Sequence, residues 1–416
     1  MQPQRILFTT LGSLGDLFPY LAVASEMQRR GHLATILTTV QHRSRVERSG
    51  VQFREAAPNL DFTDKTFQER AMHETTGSRY MLRDVILPQI RVSYENMLEA
   101  SVHADLLVTQ MLTFAGPIVA EKTGIPWVST VLAPLSYFSY RDSPVLSSRL
   151  NGLREAAPRL NAFVNRVARS TTRSWNSPVY QLRRELGLAQ GLEPIYDGQH
   201  SPLKALAMFS PLLAQPQTDW PPGALITGHP FWEEQGIRAE MLDELDRFLA
   251  DGPPPVVFTL GSSAVLNPGQ FYEESVKAAR QLGVRAVLLD GEKASGRQAG
   301  RDILRLAYAP HSYLFPKASV VVHSGGVGTC AQAMRAGRPS LVTPFAYDQP
   351  DNAMRLVRLA IARTIRRDRY TARRAAREIG TLMKEPQYRT NAERIARTVR
   401  AENGVGVACD ALESCL

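Results

Sequence analysis

The residues from Ser319 to Gly337, SVVVHSGGVGTCAQAMRAG, combine types that can hold an anion. A β-branched run ends in His323, and Gly325, Gly326 and Gly328 follow as a helical pattern opens near Val327–Thr329. Glycines let the backbone come close to an anion, and the free N–H groups and dipole of a helix N-terminus then hold it. His323 adds a donor or a positive charge, so the set suits a diphosphate without any metal. The other reading of such a loop is a tight strand-to-helix turn whose glycines serve packing alone. Two neighbouring segments favour the first. Tyr308-Ala309-Pro310-His311 is a rigid turn offering a ring to stack on a base. Asp348 and Gln349, at the end of the next apolar run, place a carboxylate and an amide where sugar hydroxyls can be gripped.

Strands and helices must position these loops. Arg5–Thr10, Leu33–Thr39, Asp105–Thr109 and Trp127–Val131 read as buried strands, with a helix over Leu17–Arg30 closed by Gly31. A second alternation holds strands at Val256–Leu260, Ala286–Leu289, Ser319–His323 and Ser340–Pro344. Strand and helix in alternation mark a parallel sheet covered on both faces, so the spacing predicts two tandem doubly wound α/β domains. Between them Pro211–Phe231 carries five prolines and cannot be one helix. The expected division is a first domain over 1–215, a second over 216–385 and a helical tail over 386–416 that packs back toward the first domain. In open parallel sheets ligands bind at the carboxyl ends of strands, where all the candidate loops fall.

Composition narrows the class. With 416 residues, 44% hydrophobic and 21% charged, the chain is neither disordered nor collagen-like. Its three cysteines show no metal spacing and argue for a reducing compartment. No apolar run reaches the roughly 20 residues of a membrane span, and the N-terminus lacks the pattern of a secretory signal, so a cytoplasmic protein is expected. The net charge of +9 is concentrated after Asp351, where thirteen Arg and one Lys face eight acidic residues. Such a tail can attract nucleic acid, an anionic membrane surface or a phosphorylated ligand, or simply form solvated helix faces. No stacking aromatics, zinc signature or helix-turn-helix accompany it, and nucleic acid would leave the glycine-rich loop unexplained. Peripheral membrane contact at the inner face stays open.

The span Tyr308–Gln349 resembles the donor-binding signature of the nucleotide-sugar glycosyltransferases of the GT-B fold. Members share an aromatic-Ala-Pro-Gln/His turn, a His-x-Gly-Gly-x-Gly-Thr loop and a terminal Asp-Gln pair. Thr10–His32, Trp220-Pro221, Thr227-Gly228-His229-Pro230 and Gly261-Ser262 are similar to further elements of the same family. Within it the chain looks closest to bacterial rhamnosyltransferases acting on lipid or natural-product acceptors. The resemblance implies two Rossmann-like domains facing a central cleft and inverting, metal-independent transfer of a hexosyl or deoxyhexosyl group. The donor would be a dTDP- or UDP-sugar and the acceptor a hydroxyl of a lipid, flavonoid or other apolar natural product. It implies further that Tyr308 stacks on the base and that His311 faces the ribose. His323, Gly326, Gly328 and Thr329 would cradle the diphosphate with Ser262 or Ser263 assisting. Asp348 and Gln349 would orient the sugar, with Asn352 nearby. Where uridine-selective relatives carry a Glu for the ribose 2′-hydroxyl this chain has Ala331, which favours a thymidine donor.

Many relatives use a histidine in the first loop as base, and Asp16 stands in that place. A carboxylate with an ordinary pKa near ~3.9 is a weak base for an alcohol, so to serve Asp16 must be buried or be assisted by developing phenolate or alkoxide character. Its alternative role is to cap the helix beginning beside it. For the acceptor, Phe114, Tyr137 and Tyr140 are the first aromatic candidates, with Phe138, Trp175 and Tyr180 behind them. Two other functions fit the same fold: a sugar-nucleotide epimerase and a non-catalytic nucleotide-sugar-binding protein.

Overall fold

The computed structural model describes residues 2–61, 64–145, 158–233, 239–291 and 300–416. Seven parallel strands build the first sheet: β1 (Arg5–Thr9), β2 (Leu33–Thr38), β3 (Gln52–Glu55), β4 (Leu106–Gln110), β5 (Trp127–Val131), β6 (Ala205–Ala207) and β7 (Ala224–Ile226). Six build the second: β8 (Val256–Thr259), β9 (Ala286–Leu289), β10 (Ile303–Leu306), β11 (Val320–His323), β12 (Ser340–Val342) and β13 (Ala362–Thr364). The central strands β4, β8 and β11 are buried along their whole length, as unbroken aliphatic runs must be when helices cover both faces.

The strand orders are β3-β2-β1-β4-β5-β6-β7 and β10-β9-β8-β11-β12-β13. Each order reverses once, between β1 and β4 and between β8 and β11. At such a switch point neighbouring loops diverge and leave a crevice at the carboxyl ends of the strands. The loops after β1, β4, β8 and β11 therefore hold Asp16, Phe114, Ser262 with Ser263, and the glycine run after His323.

Five helices frame the cleft or join the two ends of the chain: α1 (Leu14–Arg29), α2 (Lys65–Ala71), α3 (Val327–Ala336), α4 (Gln349–Arg358) and α5 (Gly404–Glu413). Helix α1 begins three residues earlier than the pattern suggests because Ser13, not a later residue, is its N-cap. The boundary at 215 is also too early. Strand β7 lies beyond it yet pairs with β6 at the edge of the first sheet, through Ala205↔Ala224, Leu206↔Leu225 and Ala207↔Ile226. The chain returns at its end: Ala408, Cys409 and Leu412 of α5 share a core with Val23 and Met27 of α1. Arg30 caps that contact by pairing with Glu413 at 2.8 Å and with Asp410.

Part of the arginine-rich tail is paired within itself. Arg363 and Arg377 both pair with Glu378, and Arg389 pairs with Glu393. Arg355 of α4 is buried between Asp351 and Asp142, where it ties the two domains together. No helix among the described residues is long and apolar enough to cross a membrane.

Candidate active site

Asp16 sits at the first switch point. Gly12, just after β1, has φ +133°, and a Cβ there would lie 2.3 Å from the Asp16 Oδ2, so only glycine lets the carboxylate fold back against this loop. The Ser13 N–H donates to Oδ2 at 2.8 Å, completing a capping box. From the end of β4 the Gln110 amide donates to Oδ1 at 3.1 Å. The half-buried carboxyl is pushed up to about 6 by burial, against the lowering effect of the Ser13 and Gln110 hydrogen bonds. Asp16 thus caps α1 and also lines the cleft, with a carboxyl that holds a proton more tightly than an ordinary aspartate.

Across the cleft, Gly325 has φ +93° and its Cβ would meet Val342 at 2.9 Å and the Gln349 carbonyl at 3.0 Å. Gly326 and Gly328 are the opposite case. Nothing lies within 4 Å of a Cβ added to either, and both face the cleft at the N-terminus of α3. The first-turn N–H groups there have no helical acceptor, so an anion can rest directly on the backbone. Thr329, Ser262, Ser263, Tyr308, His311, Asp348 and Gln349 line the same cleft.

Two of these expectations, for His323 and Asn352, need correction, since neither lines the cleft. His323 is fully buried beneath the glycine loop, and burial beside His311 lowers its pKa to about 3. It carries no charge at neutral pH. Its Nδ1 accepts from the Gly325 N–H at 3.1 Å, which leaves the Nε2–H unpaired as a donor. Asn352 is fully buried and does not line the cleft; its amide donates to the Gly325 carbonyl at 2.9 Å and to Asp348 at 2.7 Å, tying loop to carboxylate. His311 stacks on Phe315 at 4.3 Å and is also neutral, lowered to about 4 by burial. Asp348 is pushed up to about 7 by burial, with a smaller contribution from Asp16, so the two carboxyls interact across the cleft. The Gln349 carbonyl oxygen accepts from the Phe345 and Ala346 N–H groups, at 2.8 and 3.2 Å, and only its amide nitrogen is left for a ligand.

The chain matches the glycosyltransferase family 28 N-terminal domain over residues 6–136 and the erythromycin biosynthesis protein CIII-like C-terminal domain over residues 284–405. It is 33% identical to the O-mycaminosyltylonolide 6-deoxyallosyltransferase of Streptomyces fradiae, covering 98% of this chain and 97% of that one. The chain is a GT-B glycosyltransferase. The glycosyltransferase is also 26% identical, over 99% of its own length, to a sterol 3-beta-glucosyltransferase of Neurospora crassa, but it spans only 27% of that protein. A solved spinosyn rhamnosyltransferase complexed with thymidine diphosphate shares its fold with a TM-score of 0.70, at 17% identity and covering 99% of this chain and 100% of that one.

The whole cleft of the glycosyltransferase has a volume of about 1660 Å³, and its lining from the first domain includes Phe114, Phe138, Trp175, Met72 and Met81. Phe114 lines it; Tyr137 and Tyr140 do not. Tyr137 is buried away from the cleft, stacked on Trp220 at 4.2 Å, and Tyr140 points to solvent. Pro134–Tyr137 forms a 3₁₀ turn and Phe138 adopts φ +46°, which swings the intervening ring, Phe138, into the cleft. On α3, Ala331 is buried and it is Gln332 that lines the cleft. His42 was missed. It is buried at the turn after β2 and donates from Nε2 to the Gly12 carbonyl at 3.0 Å, supporting the Asp16 loop. Its place at the carboxyl end of a strand beside β1 was the available signal. Among the described residues no cluster of three His, Cys, Asp or Glu has the arrangement of a metal site.

Proposed function

We propose that this glycosyltransferase moves a 6-deoxyhexosyl or hexosyl group, rhamnose or glucose among them, from a dTDP-sugar to a hydroxyl of an apolar natural product, with inversion. A UDP-sugar is the alternative donor. One observation carries the reading: a carboxylate raised to about 6 faces an open glycine-lined helix N-terminus across one cleft. Asp16 takes the proton of the acceptor hydroxyl as its oxygen bonds to the anomeric carbon. The bond from that carbon to the diphosphate oxygen breaks, and the nucleoside diphosphate leaves with the electron pair. The α3 N-terminus and Thr329 stabilise its charge, the kind of preorganised electrostatics that dominates such steps, while buried His323 supports the glycine loop through the Gly325 N–H. Asp348 and the Gln349 amide hold the sugar.

The 6-deoxyallosyl activity named for the Streptomyces relative and the thymidine diphosphate bound to the spinosyn enzyme support a thymidine donor. The apolar aromatic and methionine lining supports a macrolide-like or sterol-like acceptor. The Streptomyces, Neurospora and spinosyn relatives are all transferases, which lends the epimerase reading no support. The test is to incubate the protein with dTDP-rhamnose or UDP-glucose, with and without a macrolide aglycone, and to follow nucleotide release and product configuration by NMR. Acceptor-dependent release with an inverted anomer is expected. A retained anomer, or conversion of the donor sugar without acceptor, overturns the proposal.

A further inference from the structure

Resting on that reading of Asp16, we infer that Gln110 is the positioning residue of the reaction: its backbone-locked side-chain amide aims the Asp16 carboxylate. Gln110 ends β4, the strand beside β1 at the switch point, and is 4% exposed. Its Oε1 accepts from the Leu11 N–H at 3.4 Å and the Leu112 N–H at 3.3 Å. Those two donors fix the amide's orientation, because a flipped amide would set NH₂ against two N–H groups. The Nε2 is thereby directed at the Asp16 Oδ1.

The anchor below is equally fixed. Thr113 folds back on Gln110, accepting from its backbone N–H at 3.0 Å and donating to its carbonyl at 2.6 Å, and Thr9 of β1 donates to the Thr113 hydroxyl at 3.1 Å. Loops from two different strands therefore grip the two carboxylate oxygens separately. Oδ2 receives the Ser13 N–H and, at 3.2 Å, the Ser13 hydroxyl, which fills its two acceptor positions. Among the described residues the one side chain bonded to Oδ1 is Gln110, which leaves that oxygen one lone pair. Oδ1 is thus the oxygen that takes the acceptor's proton, and Gln110 bonds to that same atom.

Gln110 consequently does two things. It orients the free lone pair of Oδ1, and its N–H favours the ionised form over the protonated one. The other titratable groups facing Asp16 are Tyr20 from its own helix and Tyr347 and Asp348 from the second domain, with neutral His42 one carbonyl away. None of these donates to Oδ1.

Gln110→Glu separates positioning from folding. It keeps an oxygen for the Leu11 and Leu112 N–H groups and replaces the donor to Asp16 by a second acceptor. The expected result is a drop in kcat at pH 7 of about tenfold or more at unchanged donor KM, with the acidic limb of the pH profile moved up by about one unit or more. Gln110→Leu should move the limb in the same direction. A readout free of turnover is the ¹³C carboxyl signal of labelled aspartate that disappears in Asp16→Asn: its midpoint should rise in both Gln110 variants. Wild-type kcat, limb and midpoint in Gln110→Glu would overturn the assignment even with Asp16→Asn inactive. An active Asp16→Asn would instead remove the base reading itself, leaving the carboxyl midpoint to decide whether Gln110 grips Asp16.

Discussion

Gly328→Ala should uncouple stability from ligand binding, because its position is open in the fold and occupied in function. Gly328 lies in the first turn of α3, and nothing is within 4 Å of an added Cβ. Alanine is favoured over glycine by about 0.8–1.0 kcal/mol in a helix interior and by less in the first turn, so unfolding stability should be unchanged or slightly raised. The methyl group would project into the cleft where a diphosphate must approach the backbone. Losing one hydrogen bond between a backbone N–H and a charged oxygen costs about 1.5–3 kcal/mol, or roughly ten- to a hundredfold in the Kd for dTDP. Gly325→Ala is the control: φ +93° and a 2.9 Å clash with Val342 make it a folding defect first. Urea unfolding and calorimetric titration with dTDP measure the two effects. Wild-type dTDP affinity in a fully folded Gly328→Ala would refute the placing of the diphosphate on this helix.

The acidic limb of kcat/KM should fall near pH 6, since activity requires ionised Asp16 and its pKa is raised to about 6; a limb near 4 would contradict the burial argument. Raised Asp16 and Asp348 carboxyls favour the native state as pH falls from 7 toward 5, but buried His200, His229, His311 and His323 stay neutral when folded and protonate when unfolded. The four histidines outweigh the two carboxyls, so stability should fall over this range, which urea midpoints at both pH values check. Phe138→Ala and Trp175→Ala should each raise acceptor KM about tenfold or more at unchanged donor KM. Tyr140→Ala should leave kinetics alone, and Tyr137→Ala should instead cost about 3 kcal/mol of stability by removing a stacked core ring. dTDP should bind at least as tightly as UDP, and Gln332→Glu should move preference toward UDP by about 1 kcal/mol or a little more; a tenfold wild-type preference for UDP in competition titrations would contradict this.

Legibility followed regularity. The buried strands and the glycine run after His323 could be read directly because a parallel sheet needs unbroken aliphatic segments and a helix N-terminus needs open backbone, and both leave marks in composition. The family resemblance pointed to Asp16, the serines after β8 and Asp348, and all of them lie near strand ends, where a doubly wound sheet opens its crevice. Irregular backbone was opaque. Nothing in SYFSY tells which ring turns inward, because a 3₁₀ turn and a left-handed residue at Phe138 decide it. The short strand β7 sits among prolines and carries only three residues, so its pairing is a tertiary fact. The charge states of His323 and His311 follow from burial by residues far away in sequence, as does the exclusion of Asn352 from the cleft. Gln110 and His42 act through backbone groups of another strand's loop, and such contacts leave no spacing signature.

The central claim is that Asp16 removes the acceptor proton while the second domain alone holds the nucleotide. Asp16→Asn preserves the shape of the capping box and removes the base. Measured together, single-turnover transfer from a dTDP-sugar and calorimetric binding of dTDP should separate the two functions. The account predicts transfer slowed by about a hundredfold or more, the usual range for a lost general base, with dTDP affinity within about twofold of wild type. Transfer at near wild-type rate, or a loss of dTDP affinity as large as the loss of rate, would contradict it.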